Sequence, residues 1–165
     1  MKAMDYLVKQ GLVRLIGVSN FSVAELKEAQ SSAKNSIVAN QVEYNLLVRD
    51  QGKYMGSMES EILPYCQNNG IVFIAWRPLA KGHLAKPGIK LLDEISEKCG
   101  RTQAQVALNW LVSKKGVVTI TKASDISHIK EDLGALGWKL AKDDVNRLNK
   151  EFPMVKSQKE YKKWF

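Results

Sequence analysis

The sequence predicts an α/β chain: half of a TIM-type (β/α)8 barrel, with about four βα units preceded by one helix. Short apolar runs at Leu15 to Val18, Ile37 to Glu43, Ile71 to Trp76 and Val117 to Thr121 read as parallel strands. Amphipathic helical stretches separate them, and the connections have the length of right-handed crossovers. A chain of 165 residues suits one domain with a real core, yet falls short of the roughly 250 residues of a complete barrel.

Each element has a local reason. Met1, Met4, Leu7 and Val8 share one face of a first helix, which Gly11 stops. The first strand, carrying Leu15, Ile16 and Val18, is expected to be covered on both faces. Ser22 and Glu25 form an S-x-x-E capping box, so a helix starts near Val23 and runs to about Ala33. Asn35 and Ser36 turn the chain into the second strand. A polar loop with Arg49, Gly52 and Gly56 leads to a helix from about Glu61 to Asn69. Pro64 is tolerated there in the first turn, and Gly70 ends it.

The third strand is too uniformly apolar to face water. The stretch from Arg77 to Gly82 is expected to be loop. A helix with Ile89, Leu92 and Ile95 ends at Gly100, and Thr102 with Gln105 caps the next, which carries Val106, Leu108, Trp110 and Leu111. After Gly116 and the fourth strand, Ser124 or Asp125 caps a helix bearing Ile129, Leu133 and Leu136. The last expected helix spans roughly Lys142 to Glu151. Residues 1–155 thus form the half-barrel domain, and residues 156–165 a basic, aromatic tail.

Composition excludes several classes. With 45% hydrophobic residues and four Trp the chain reads as soluble and globular. No apolar run approaches about 18 residues and no secretion signal opens the chain, so no membrane span and a cytoplasmic location are expected. Cys66 and Cys99 sit in helical patterns and read as reduced thiols. The formal charge of +8 is scattered, densest at Lys156, Lys159, Lys162 and Lys163. No nucleic-acid motif accompanies it, so it reads as a solvated surface.

Polar residues at strand ends are the candidate site, because binding groups of parallel α/β folds lie at the C-terminal ends of strands. Ser19 and Asn20 end the first strand, where such residues also simply cap the following helix. Trp76 ends the third; a flat indole there can cover a planar ring or close a core. Lys122 stands beside a helix N-terminus, where phosphate is favoured, or is an ordinary solvated lysine.

The strings Gly17-Val18-Ser19-Asn20-Phe21 and Gln41-Val42-Glu43-Tyr44-Asn45 resemble the aldo-keto reductase family. The resemblance runs from the first helix to about Phe152 and matches the C-terminal half of that fold. Residues Met1 to Arg14 look like the segment leading into its fifth strand. By the resemblance, Ser19, Asn20 and Gln41 hold the carboxamide of a nicotinamide ring. Trp76, in the aromatic-x-Pro-Leu turn with Pro78 and Leu79, stacks on that ring. Lys122, Ser124, His128, Glu131 and Asp132 occupy the segment that holds the adenosine 2′-phosphate and adenine.

The sequence also departs from the family. Thr121, His128 and Asp132 stand where many members have Pro, Arg and Asn. Exchanging Arg for a mostly neutral His and adding a carboxylate should weaken 2′-phosphate binding and bring NAD into competition with NADP. The Tyr, Lys, Asp and His of the family's chemistry belong to its first four βα units, so none has a counterpart here. His83 and His128 lie elsewhere by the resemblance, and no catalytic or metal-ligating residue is expected.

Two functional classes follow. One is the cofactor-binding portion of an NADP(H)-dependent reductase of aldehydes and ketones, inactive alone, whose catalytic half is supplied by another polypeptide or was lost by truncation. The other is a non-catalytic nucleotide-binding or structural half-barrel, a pseudo-enzyme. Open strand edges at Val13 to Val18 and at Val117 to Thr121 lead us to expect a partner, either a second copy in a homodimer or a complementary N-terminal half-barrel. A small carbonyl substrate is expected only when the barrel is completed.

Overall fold

Strands β1 (Ile16–Ser19), β2 (Ile37–Glu43), β3 (Val72–Trp76) and β4 (Val117–Thr119) pair in parallel, in chain order, in one four-stranded sheet of the computed structural model. The structure describes residues 1–153 and 155–164. Helix α1 (Lys2–Lys9) precedes β1, and α2 (Val23–Ser32) links β1 to β2. Helix α3 (Leu63–Asn68) precedes β3, while α4 (Lys90–Cys99) and α5 (Gln103–Val112) lie between β3 and β4. Then come α6 (Ile126–Leu133), α7 (Lys142–Glu151) and α8 (Gln158–Trp164). This is the half-barrel order that the sequence predicts.

Both capping boxes form. Ser22 Oγ accepts from the Glu25 amide at 3.3 Å while the Glu25 carboxylate accepts from the Ser22 amide at 2.7 Å. Thr102 and Gln105 repeat the exchange at 3.3 and 3.2 Å. Helix α4 ends at Gly100 with φ +59°, a conformation that favours glycine. Of the two candidates for capping α6, Asp125 does so, accepting from the Ser127 amide.

Strand register divides the sheet into two faces. Asn40, Phe73 and Val117 share one row, as do Val42 and Ala75. All five are buried, and all but Asn40 belong to the core formed with Leu26, Ile62, Cys66, Trp110 and Leu111 of the helical layer. Tyr44 fills its centre, edge-on to Phe73 at 5.3 Å and stacked on Trp110 at 5.5 Å. The opposite face carries Ser19, Gln41, Ile74 and Val118 in one row and Glu43 beside Trp76 in the next.

That opposite face alters several expectations. Leu15 lies outside β1 and is 69% exposed, because β1 is a sheet edge and not a strand covered on both sides. Val72 and Val118 are exposed and Ile74 and Trp76 only half-buried, so β3 does face water within this chain. Ile129, Leu133 and Leu136 are likewise exposed, and Leu136 lies beyond α6. Their apolar pattern is real, but the described residues supply nothing to cover it. Nearby, β4, α6 and the end of α5 line an apolar trough of about 570 Å³.

Smaller differences have local causes. A π-helical turn at Met58–Ile62 leads into α3, earlier than the expected start at Glu61. The stretch expected to be loop includes part of a 3-10 segment, Ala80–Ala85, broken by positive φ at Lys81 and Gly82. Strand β4 ends at Thr119, two residues early. The tail contains a helix, α8: Ser157 Oγ accepts from the Glu160 amide at 3.2 Å, and the Glu160 carboxylate accepts from the Lys156 amide at 2.6 Å. Phe165 and the side chain of Lys163 lie outside the described residues. Cys66 is buried and Cys99 half-buried, and neither is bridged to another cysteine.

Candidate cofactor site

The turn after β1 is held by β2. Asn20 has φ +57°, a left-handed conformation that Asn tolerates better than most residues. Its amide donates to the Gln41 carbonyl at 2.8 Å, and Ser19 Oγ donates to the same oxygen at 3.1 Å. Fully buried Asn40 clamps the next residue: its Nδ2 donates to the Phe21 carbonyl at 2.8 Å, and its Oδ1 accepts from the Phe21 amide at 3.4 Å. Asn20 Nδ2 reaches Ser19 Oγ at 3.3 Å, which leaves Asn20 Oδ1 as a buried acceptor without a partner among the described residues. A buried acceptor in that state is costly unless water or a ligand donates to it.

Beyond the ends of β3 and β4 lies a cleft of about 710 Å³. Trp76, Pro78, Leu79, Lys122, His128, Glu131 and Asp132 line it, together with Arg77, Lys81, Lys86, Ile120 and Thr121. Trp76 at one part of this lining offers a planar apolar surface; Lys122, near the start of α6, offers a cation. Glu131 and Asp132 add negative charge to the same walls. The arrangement suits a long ligand with a flat ring and an anionic group, and the two carboxylates oppose the anion.

Seven of the sequence-derived site residues therefore meet in one cleft: Trp76, Pro78, Leu79, Lys122, His128, Glu131 and Asp132. Ser19, Asn20 and Gln41 are brought together with one another, on the sheet beside it and not in its lining. Gln41 lies two residues before Glu43, the partner of Trp76, so about 7 Å separates the two rows. Ser124 is exposed and also lies outside the cleft lining.

Sequence reasoning missed the residues that support these positions. Arg77 follows Trp76 with φ +53°, and buried Asn45 donates to its carbonyl at 3.0 Å. The Arg77 guanidinium lies 4.6 Å from the Trp76 ring centroid and 3.3 Å from the Glu43 carboxylate. Tyr161 of α8 closes the group, 3.0 Å from each Glu43 carboxylate oxygen and 3.0 Å from Arg77 Nη1. Burial, and next the Glu43 charge, push the Tyr161 hydroxyl up to about 12. The alternation of Gln41, Glu43 and Asn45 and the Ser157-x-x-Glu160 box were the available signals.

A parallel half-barrel with its polar groups at the C-terminal strand ends is half of a TIM-type (β/α)8 architecture, a class that places binding groups at that end. Residues 1–151 match the aldo/keto reductase family, and the chain belongs to that family. It is 35% identical over 158 residues to an uncharacterized oxidoreductase of Schizosaccharomyces pombe, covering 94% of this chain and 48% of that protein. Among solved structures it is similar to a thermostable aldo-keto reductase in complex with the inhibitor epalrestat. The TM-score there is 0.80 at 38% identity, covering 90% of this chain and 52% of that one. It is similar also to an aldo-keto reductase from Klebsiella pneumoniae in complex with NADPH, with TM-score 0.81 at 28% identity, covering 94% and 54%. The chain spans about half the length of the relatives it matches.

Proposed function

We propose that this chain provides the nicotinamide-cofactor side of an aldo-keto reductase that reduces aldehydes or ketones with NADP(H). The observation that carries the reading is the cleft shared by Trp76 and Lys122, with the unpartnered Asn20 acceptor on the adjoining sheet. A carboxamide N–H would satisfy Asn20 Oδ1, the Trp76 indole would lie under the ring, and Lys122 would face the 2′-phosphate. Bound there, the cofactor supplies the hydride; the residues of this chain orient and hold it. The relative's complex with NADPH supports this choice of ligand.

In this reading the 165 residues alone do not catalyse turnover. Carbonyl reduction needs a general acid within hydrogen-bond reach of the carbonyl, effective near neutral pH. Tyr161, the buried tyrosine near Trp76, is shifted the wrong way for that task. The exposed sheet face and α6 are covered by a second set of βα units, from another copy or from an N-terminal half. Within the described residues no helix is long and apolar enough to cross a membrane.

The experiment is titration of the full chain with NADPH, followed by quenching of tryptophan fluorescence. Trp76→Ala and Lys122→Ala should each weaken binding by about tenfold, the loss of a stacking or charge-assisted contact worth roughly 1.4 kcal/mol. Unchanged affinity in both variants overturns the reading.

A further inference from the structure

Helix α8 reaches back to the mouth of the half-barrel and is fastened there. Val155 is buried and its amide donates to the Leu47 carbonyl at 3.1 Å, so the segment leading into α8 is tied to the loop after β2. The cap at Ser157 and Glu160 then starts the helix. One turn on, Tyr161 is 5% exposed, its hydroxyl between the Glu43 carboxylate and Arg77 Nη1. The chemistry closes: the phenol donates to the carboxylate and accepts from the guanidinium.

Arg77 makes this fastening matter for the site. Its backbone is left-handed, a conformation that persists only where surrounding contacts over-determine it. Those contacts include the Ala80 amide and Asn45 Nδ2 on its carbonyl, and Glu43 and Tyr161 on its guanidinium. The same guanidinium lies against the ring of Trp76, the residue next to it in the chain and the register partner of Glu43.

We infer that Tyr161 is a positioning residue: through Glu43 and Arg77 it sets the Trp76 indole, so that the C-terminal helix tunes how tightly the nicotinamide end of the cofactor is held. The inference rests on the reading of Trp76 as the residue beneath that ring. It makes the segment after Phe152 part of the site, although Tyr161 does not itself touch the ligand.

The test uses the full chain and Tyr161→Phe, which keeps the ring and removes the hydroxyl. Two ligands are titrated: NADPH, and adenosine 2′,5′-bisphosphate, which has the phosphate end but no nicotinamide. NADPH affinity should fall roughly three- to tenfold, the worth of one hydrogen bond, with the bisphosphate unchanged within about twofold. Without ligand, the Trp76 indole N–H resonance, assigned through Trp76→Phe, should shift in Tyr161→Phe. Arg77→Lys keeps the charge beside Glu43 but removes the guanidinium plane, and should reproduce both effects; it also serves if Tyr161→Phe fails to fold.

An unmoved indole resonance overturns the inference, as does equal weakening of both ligands, which would mark general loss of structure. If the parent chain binds neither nucleotide, the proposed function fails, while the indole resonance still decides the role of Tyr161.

Discussion

Asp5 of α1 accepts from the Lys34 amide at 3.0 Å, and from the Asn35 amide and side chain at 3.0 and 2.8 Å, joining the first helix to the turn before β2. The Lys34 amide, followed by the Asn35 contacts, holds the Asp5 carboxyl below its ordinary value of 3.8. The Ser22 hydroxyl and amide likewise hold Glu25 below 4.5. Both folded values are depressed, so their contribution is complete above the unfolded values and lost as pH falls through the folded ones. Thermal melts should therefore show Tm falling as pH drops below about 4.5, with a shallower fall in Asp5→Asn and Glu25→Gln.

The Asn40 clamp on Phe21 makes a separate prediction about stability. Asn40→Ala strands the part-buried Phe21 amide and carbonyl and should cost about 1–3 kcal/mol in denaturant unfolding. Ser22→Ala, which removes only an exposed cap, should cost about 1 kcal/mol. The opposite ranking would show that the turn is not held from β2.

On the proposed reading, two substitutions in the cleft wall should move cofactor preference. Replacing His128 with Arg and Asp132 with Asn adds a cation and removes an anion beside Lys122. The double variant should bind NADPH about tenfold more tightly with NADH nearly unchanged, as read by paired fluorescence titrations. Equal gains for both dinucleotides would place the 2′-phosphate elsewhere.

Homogeneous chain mixed with NADPH and an aldehyde should show no steady oxidation of the cofactor. Sustained turnover that copurifies with the chain would mean that it contains a general acid the described residues do not reveal.

Association is the outcome expected from the exposed apolar residues. Ile126, Ile129, Leu133 and Leu136 are 46–70% exposed beside the open edge of β4. Covering four such side chains is worth on the order of several kcal/mol, a large fraction of a domain's stability. Sedimentation of the pure chain at micromolar concentration should show dimers or larger species. A folded monomer that fails to bind an apolar dye would contradict this, and dimer loss on adding a complementary N-terminal half would identify the second kind of partner.

Local order is what the sequence by itself determined. Capping boxes at Ser22 and Thr102, the stop at Gly100 and the spacing of apolar runs depend on residues a few positions apart, so they were legible along with the half-barrel order. Ser19, Asn20, Trp76 and Lys122 were legible as strand-end residues, and Gln41 only through the resemblance to a known family. Only the tertiary structure decided which apolar faces are covered: Leu15 and the Leu133 stripe have core-like patterns, yet burial requires a neighbour that a pattern does not name. It alone also joined Asn40 to Phe21, and Tyr161 to Glu43 across 118 positions. Such pairs depend on strand register and on where the chain returns, and neither is encoded in the spacing of nearby residues.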